Sequence, residues 1–384
     1  MPLSLVASAL LFVALTVLMT GIWSWLVVLA KAAVTWRWLP GPLAARLEAA
    51  LKSAGLSPRL PLIAWNPRRP VPWALIDLVI LIGVYVVGSL AVSAILHRTG
   101  WIEGANEVQK LSLEQRKVFI VGNLAVSVFI LAIGLPLVSL RTKAALRDFG
   151  WSLADVWNDL RLGCIGFVML APPVYALQGL LVYFWKPSKH PLMEMFKGTP
   201  DDSFFALLFV SAAVVAPLFE ELMFRVLLQG FLEKVFSFRG PTHELVFGPA
   251  QAASAENRRN PFSDPAPEGG AASDDSPADP NPYASPQSAA GFAQPSGELS
   301  SGEHCPLPSA AAVLSIAISS LIFALLHITH GPDWVPLIPL AAGMGYLYQR
   351  THRLLPSLTV HACLNALSMW GLWVQVTEGL GPGG

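Results

Sequence analysis

Apolar stretches long enough to cross a lipid bilayer recur along this chain, and they restrict its fold more than any other feature does. In hydrocarbon a segment must satisfy its own backbone N–H and C=O groups, which it does by coiling into a helix. About 20 predominantly apolar residues are enough to span. Eight segments read this way, at roughly 3–30, 73–96, 118–140, 162–185, 204–233, 309–329, 334–349 and 355–377. The first has no basic leader region and no clear small-residue cleavage site, so it reads as a retained span rather than a signal peptide. The expected fold is all-α: a polytopic transmembrane helical bundle of about eight spans.

Composition agrees. Charged residues make up 13% of the chain and hydrophobic ones 54%, whereas soluble domains carry roughly 25% charged residues. The 25 basic residues balance the 25 acidic ones, which gives no reason to expect nucleic acid as a partner. Thirteen tryptophans suit a chain with many membrane–water interfaces. Cys164, Cys305 and Cys363 are widely separated and form no CxxC pair, so neither a disulfide framework nor a zinc knuckle is indicated.

Cytoplasmic loops collect Lys and Arg. The loop 31–72 carries Lys31, Arg37, Arg46, Lys52, Arg59, Arg68 and Arg69 against Glu48 alone, and is expected to face the cytoplasm. Alternation then places both termini outside and the connections 141–161, 236–308 and 350–354 inside. Residues 144–161 mix apolar and charged positions at helical spacing, as an interfacial helix would. The Pro/Ala/Ser-rich stretch within 236–308 cannot bury enough apolar surface to offset its ordering entropy, and is expected to be a disordered polar insertion on the cytoplasmic side. The chain thus divides into N-terminal spans of unclear role (1–140), an interfacial helix and further spans (141–235), the insertion (236–308) and C-terminal spans (309–384).

Three short patterns place polar residues on apolar helices. The first lies in "APLFEELMFRVLLQG", residues 216–230. A charge at the bilayer centre costs about 2.5–3.5 kcal/mol on insertion scales, so Glu220, Glu221 and Arg225 in one span need partners and a reason. Glu221 and Arg225 are four apart, lie on one helix face and can pair. Glu220, about 100° round the helix, is left without a counter-ion of its own. A carboxyl so placed suits general acid–base work. The bland alternative is an ion-pair cluster that holds helices together.

The second pattern runs from Phe323 to His327 and the third from His361 to Asn365. Each pair is spaced so that both residues share a helix face. A lone His or Asn in a span is as often a hydrogen-bonded core residue as a functional one. The set of Glu, two His and Asn on three helices is more specific, because together they could hold and activate a water and stabilise an oxyanion. Glu220, His327 and His361 could alternatively form a three-ligand metal site with an open position. Straight spans put Glu220 near mid-helix, His361 nearer the cytoplasmic side and His327 toward the outer end, a mismatch of about 10 Å.

Rival patterns are missing. His243-Glu244 begins an HExxH zinc helix that no second His completes. There is no GxSG and no GxGD. His97, His190, His330 and His352 lie at loop edges, where a solvated role is the simpler reading; His330 alone is close in sequence to His327.

The ordered trio Glu220-Glu221-Leu-Met-Phe-Arg225, Phe323-Ala-Leu-Leu-His327 and His361-Ala-Cys-Leu-Asn365 resembles the CPBP family of intramembrane proteases, which includes the type II CAAX prenyl endopeptidases and bacteriocin-immunity homologues. The resemblance covers about 200–380. It implies an integral, multi-pass protein of the cell membrane that hydrolyses a peptide bond in a membrane-associated, CAAX-type or other protein or peptide substrate, with membrane lipid as its surroundings. It implies that Glu220 and His327 activate the water, that His361 and Asn365 stabilise the oxyanion, and that Glu221, Arg225 and Phe323 support the site. For cofactors it implies either none or a divalent metal such as zinc. Two other classes remain open on the residues alone: a proton- or ion-coupled transporter, against which no internal repeat is visible, and a non-catalytic membrane scaffold.

Overall fold

The structure is a computed structural model. It describes residues 4–58, 62–66, 70–101, 111–152, 155–184, 201–238, 240–248, 309–328 and 333–378. The described helices belong to one unit, Met1–Gly248 with Pro306–Gly384. In chain order they are α1 (Leu5–Thr35), α2 (Gly41–Ser53), α3 (Leu75–Arg98), α4 (Leu113–Thr142), α5 (Val156–Phe184), α6 (Asp202–Ser237), α7 (Thr242–Phe247), α8 (Ala310–Leu325), α9 (Trp334–Thr351) and α10 (Leu354–Thr377). No strand occurs among the described residues. The expected all-α helical bundle is therefore what forms.

Each apolar segment read from the sequence is a helix. Five of them, α1, α3, α4, α5 and α6, are long and apolar enough to cross a membrane, while α8 is a shorter apolar helix of 16 residues. Within the most apolar stretches of α1, α3 and α4 only 11% of residues are buried inside the protein, against 28% in α6. The first group presents its Leu, Val and Ile side chains to lipid, and α6 lies at the centre.

Prolines explain several contacts between helices. A proline has no N–H, so the carbonyl one turn earlier loses its intrahelical partner. Pro173 leaves the Met169 carbonyl of α5 free in this way, and the Trp25 indole of α1 donates to it at 2.7 Å. In α6 a π-helical turn, Ser211–Val215, precedes Pro217, and Ala216 N–H bonds back to Ser211 rather than Ala212. In that register Pro217 would be the donor to the Ala212 carbonyl, and it cannot donate. A second π-helical stretch, Leu222–Gln229, follows Glu221. Such widened turns are uncommon and often mark functional sites.

The connections at one end of the bundle bind one another. Asn66 N–H donates to Arg350 O at 2.8 Å and Leu354 N–H to Gly150 O at 3.0 Å. Arg141 pairs with the buried Asp77 and also donates to Phe247 O. Residues 62–66 and the loops 141–152, 240–248 and 350–354 thus meet at one end. Lys117 and Asp201, 3.4 Å apart, join the starts of α4 and α6.

Two stretches differ from expectation. Residues 144–161 do not form one interfacial helix. A single 3-10 turn, Leu146–Phe149, ends at Gly150 with φ +78°, and α5 begins only at Val156. A Cβ on Gly150 would stand 2.8 Å from Leu354 N, so both the positive φ and the close approach require glycine there. Within the expected insertion 236–308, the first residues carry the end of α6 and the short α7. Its stretch 249–308 lies outside the described residues, as do His190 and His330.

Candidate active site

The three polar patterns come together at the centre of the bundle. Glu220 and Glu221 sit at the end of the α-helical turn Ala216–Glu221, between the two π-helical stretches of α6, and Arg225 lies in the second of these. Glu221 and Arg225 are fully buried. They pair as the spacing predicted, with Arg225 Nε 3.4 Å from Glu221 Oε2. The contact is an ion pair by distance and not an aligned hydrogen bond, since neither that oxygen nor any guanidinium nitrogen has a hydrogen-bond partner. The guanidinium instead lies over the Phe323 ring, 5.2 Å from its centroid. A weakly hydrated planar cation on an aromatic face is a stable arrangement where water is excluded.

His361 of α10 stands between the two carboxylates. Its Nδ1 is 3.0 Å from Glu221 Oε1, and its Nε2 is 3.6 Å from Glu220 Oε2. Glu220 therefore does have a polar neighbour, which its place on α6 alone did not reveal. Its side chain keeps 23% of its surface accessible, whereas that of Glu221 keeps none. Of the two acids, Glu220 is the one with accessible surface.

Close packing of α10 against α5 places His361. A Cβ on Gly163 of α5 would fall 2.4 Å from Thr359 Cβ and 2.8 Å from Pro356 O. Only glycine allows α10 this near. Asn365, one turn beyond His361 on the same face, donates from Nδ2 to the Ala212 carbonyl at 2.8 Å. That is the carbonyl left without a donor by Pro217. Asn365 thus secures the backbone ahead of Glu220 and keeps a second amide N–H.

His327 lies on the turn just after α8, and its ring is 4.9 Å from that of Phe323. Phe323 meets His361 edge-on at 5.8 Å and Phe224 at 5.2 Å. One phenyl ring therefore touches Arg225 and both imidazoles. The depth mismatch expected from straight spans does not keep the motifs apart, since Phe323, one turn before His327, packs against His361. His327 is close enough to Glu220 to act electrostatically on it. Its Nδ1 is 2.8 Å from the Phe323 carbonyl, so Nδ1 carries the proton.

Sequence reasoning missed Tyr85 of α3. Its ring stacks on Phe219 at 4.7 Å, and its hydroxyl lies within the electrostatic reach of Glu220. A single tyrosine in the apolar run "LIGVYVVGSL" was the available signal. Glu220, His327 and His361 are adjacent, but no three His, Cys, Asp or Glu side chains among the described residues are gathered so as to hold a metal ion. His361 Nδ1 and His327 Nδ1 are both engaged by protein oxygens.

Residues 297–367 match the family model described as type II CAAX prenyl endopeptidase Rce1-like. The resemblance carried by the motifs is borne out over that stretch. It includes Phe323, His327, His361 and Asn365, while Glu220, Glu221 and Arg225 precede it. No curated protein and no solved structure matches the chain.

Proposed function

We propose that this chain is an integral membrane endopeptidase that uses Glu220 and His327 to activate a water for attack on a peptide bond. One observation carries the reading. An accessible carboxyl, Glu220, faces the Nε2 of a histidine whose other nitrogen is held by a buried carboxylate, itself paired to a buried arginine. A base oriented by a third group is the arrangement that hydrolytic sites use. The family match over 297–367 supports it.

In this reading a water lies between Glu220 and His327. Glu220 takes its proton as the oxygen attacks the scissile carbonyl, and then delivers that proton to the leaving nitrogen. His361 and the second N–H of Asn365 stabilise the oxyanion. Glu221 fixes the His361 ring and Arg225 balances Glu221. Because the described side chains do not gather as a three-ligand set, no step is routed through a metal. The substrate is a membrane-associated protein or peptide, of the prenylated CAAX type or another. The protein sits in the cell membrane with the basic 31–72 end, and hence the 236–308 connection, in the cytoplasm.

The test is cleavage of a membrane-peptide library, prenylated CAAX peptides included, by the reconstituted protein and its Glu220→Ala variant. Products should form with the wild type and not with the variant. Unchanged turnover by a folded Glu220→Ala protein would overturn the proposal.

A further inference from the structure

Residues 1–30 carry no charged side chain, and Lys31 is the first in the chain. It lies four residues before the end of α1, so it marks where this helix leaves the hydrocarbon. At 1.5 Å per residue, Trp36 to Trp38 stand about 8 Å further on, at the depth of lipid headgroups. Trp36 and Trp38 are 52% and 61% exposed, with ring centroids 5.3 Å apart. They bracket Arg37, whose φ of +55° closes the helix end, where Trp38 N–H donates to Ala33 O at 3.1 Å. Glycine usually fills such a left-handed position, and an arginine there needs a reason. Helix α2 follows and packs on α1, with Leu51 buried and Arg46 exposed.

This elbow holds more cations than its own acid can answer. Glu48 pairs with Lys52 at 2.9 Å. Arg37 and Arg46 are exposed, and neither guanidinium has an ion pair or hydrogen bond among the described residues. The Lys31 ammonium has none there either, although the residue is only 7% exposed. By contrast, Arg141 pairs with Asp77, and Arg353 with Asp155 and Asp159. A cation whose stem is buried and whose head meets no acid of its own protein calls for an anion from outside.

Position fixes the kind of anion. The apolar side chains of α1 face lipid, and the elbow continues that surface to the level of the headgroups. Indoles collect at that level because one part of the ring is apolar and the other wet. Basic side chains there are drawn to the phosphates of an anionic leaflet.

We propose that the α1–α2 elbow is a binding surface for anionic phospholipid headgroups, with Lys31, Arg37 and Arg46 as its cations and Trp36 and Trp38 as its anchors. The surface does not depend on the protease reading.

Melting of the purified full-length chain in detergent, titrated with short-chain phosphatidylglycerol, tests this, with short-chain phosphatidylcholine as the control. Phosphatidylglycerol should raise the Tm saturably, with a half-saturating concentration at least about tenfold below that of phosphatidylcholine. Added salt should shrink that preference, since exposed charges are screened. Arg37→Gln and Arg46→Gln should each reduce it about fivefold, the effect of one basic residue at an anionic surface. Lys31→Met should reduce it too, and should fold as well as the wild type because it removes a charge with no protein partner. Arg98→Gln, which removes an exposed cation at the end of α3, should leave the preference unchanged. Equal stabilisation by the two lipids, an undiminished preference in the Arg37→Gln/Arg46→Gln double variant, an equal loss in Arg98→Gln, or the same effect from inorganic phosphate alone would overturn the proposal.

Discussion

His361 Nδ1 lies 3.0 Å from Glu221 Oε1, and this contact orders the site. Glu221 is held by Arg225 on one side and holds His361 on the other, so the imidazole can present only Nε2 to Glu220. Two adjacent acids on one helix thereby take different parts. Glu221 is fully enclosed, while Glu220 keeps part of its surface accessible.

Replacing Glu220 by Gln keeps the size and removes the base. Cleavage should fall by about 10²–10⁴-fold, the usual contribution of general acid–base catalysis. The melting temperature should change little, because Glu220 is the partly accessible acid. Initial rates and thermal unfolding of the same preparation check both halves.

Glu221→Gln should behave in the opposite way. It leaves Arg225 buried without its counter-charge, and breaking a buried pair costs about 3–5 kcal/mol. Combining it with Arg225→Met should return much of the stability without returning activity, because His361 still lacks its carboxylate. Unfolding midpoints of the single and double variants measure this.

Asn365 and Pro217 form a testable pair through one carbonyl. Asn365→Ala leaves Ala212 O without a donor and should cost about 1–3 kcal/mol. Pro217→Ala restores a backbone N–H that can reach that oxygen. The double variant should therefore be more stable than the sum of the single changes predicts, with a coupling of about 0.5–3 kcal/mol. Recovery of stability without recovery of cleavage would separate the structural role of Asn365 from the oxyanion role proposed for it.

Phe323→Leu removes the ring that touches Arg225, His327 and His361. The lost cation–π contact alone corresponds to about 2 kcal/mol in a desolvated site. If the ring also spaces the imidazoles, kcat should fall with KM nearly unchanged, and steady-state kinetics would show the split.

A chelator offers a further check. With Glu220 and His327 activating the water, prolonged treatment with 1,10-phenanthroline should leave turnover unchanged. Loss of activity restored by added zinc would overturn the glutamate-type mechanism.

The sequence by itself determined the solvent and the cast. Long apolar runs can satisfy their backbones in lipid only as helices, and charges buried in such runs must pair or act, so the fold class and the motif residues were legible before any coordinates. The pairing of Glu221 with Arg225 was legible too, since it depends only on helical spacing. What the sequence could not show is anything set by how one helix meets another. Nothing local says that Phe323 will bring His327 beside His361, or that Gly163 lets α10 in closely enough for His361 to stand between two acids. Nor does it say that Asn365 answers a carbonyl orphaned by a proline 148 positions earlier in the chain. Hydrophobic burial chooses the elements from local pattern, but unsatisfied backbone groups and close contacts choose their partners, and those exist only once the helices have packed.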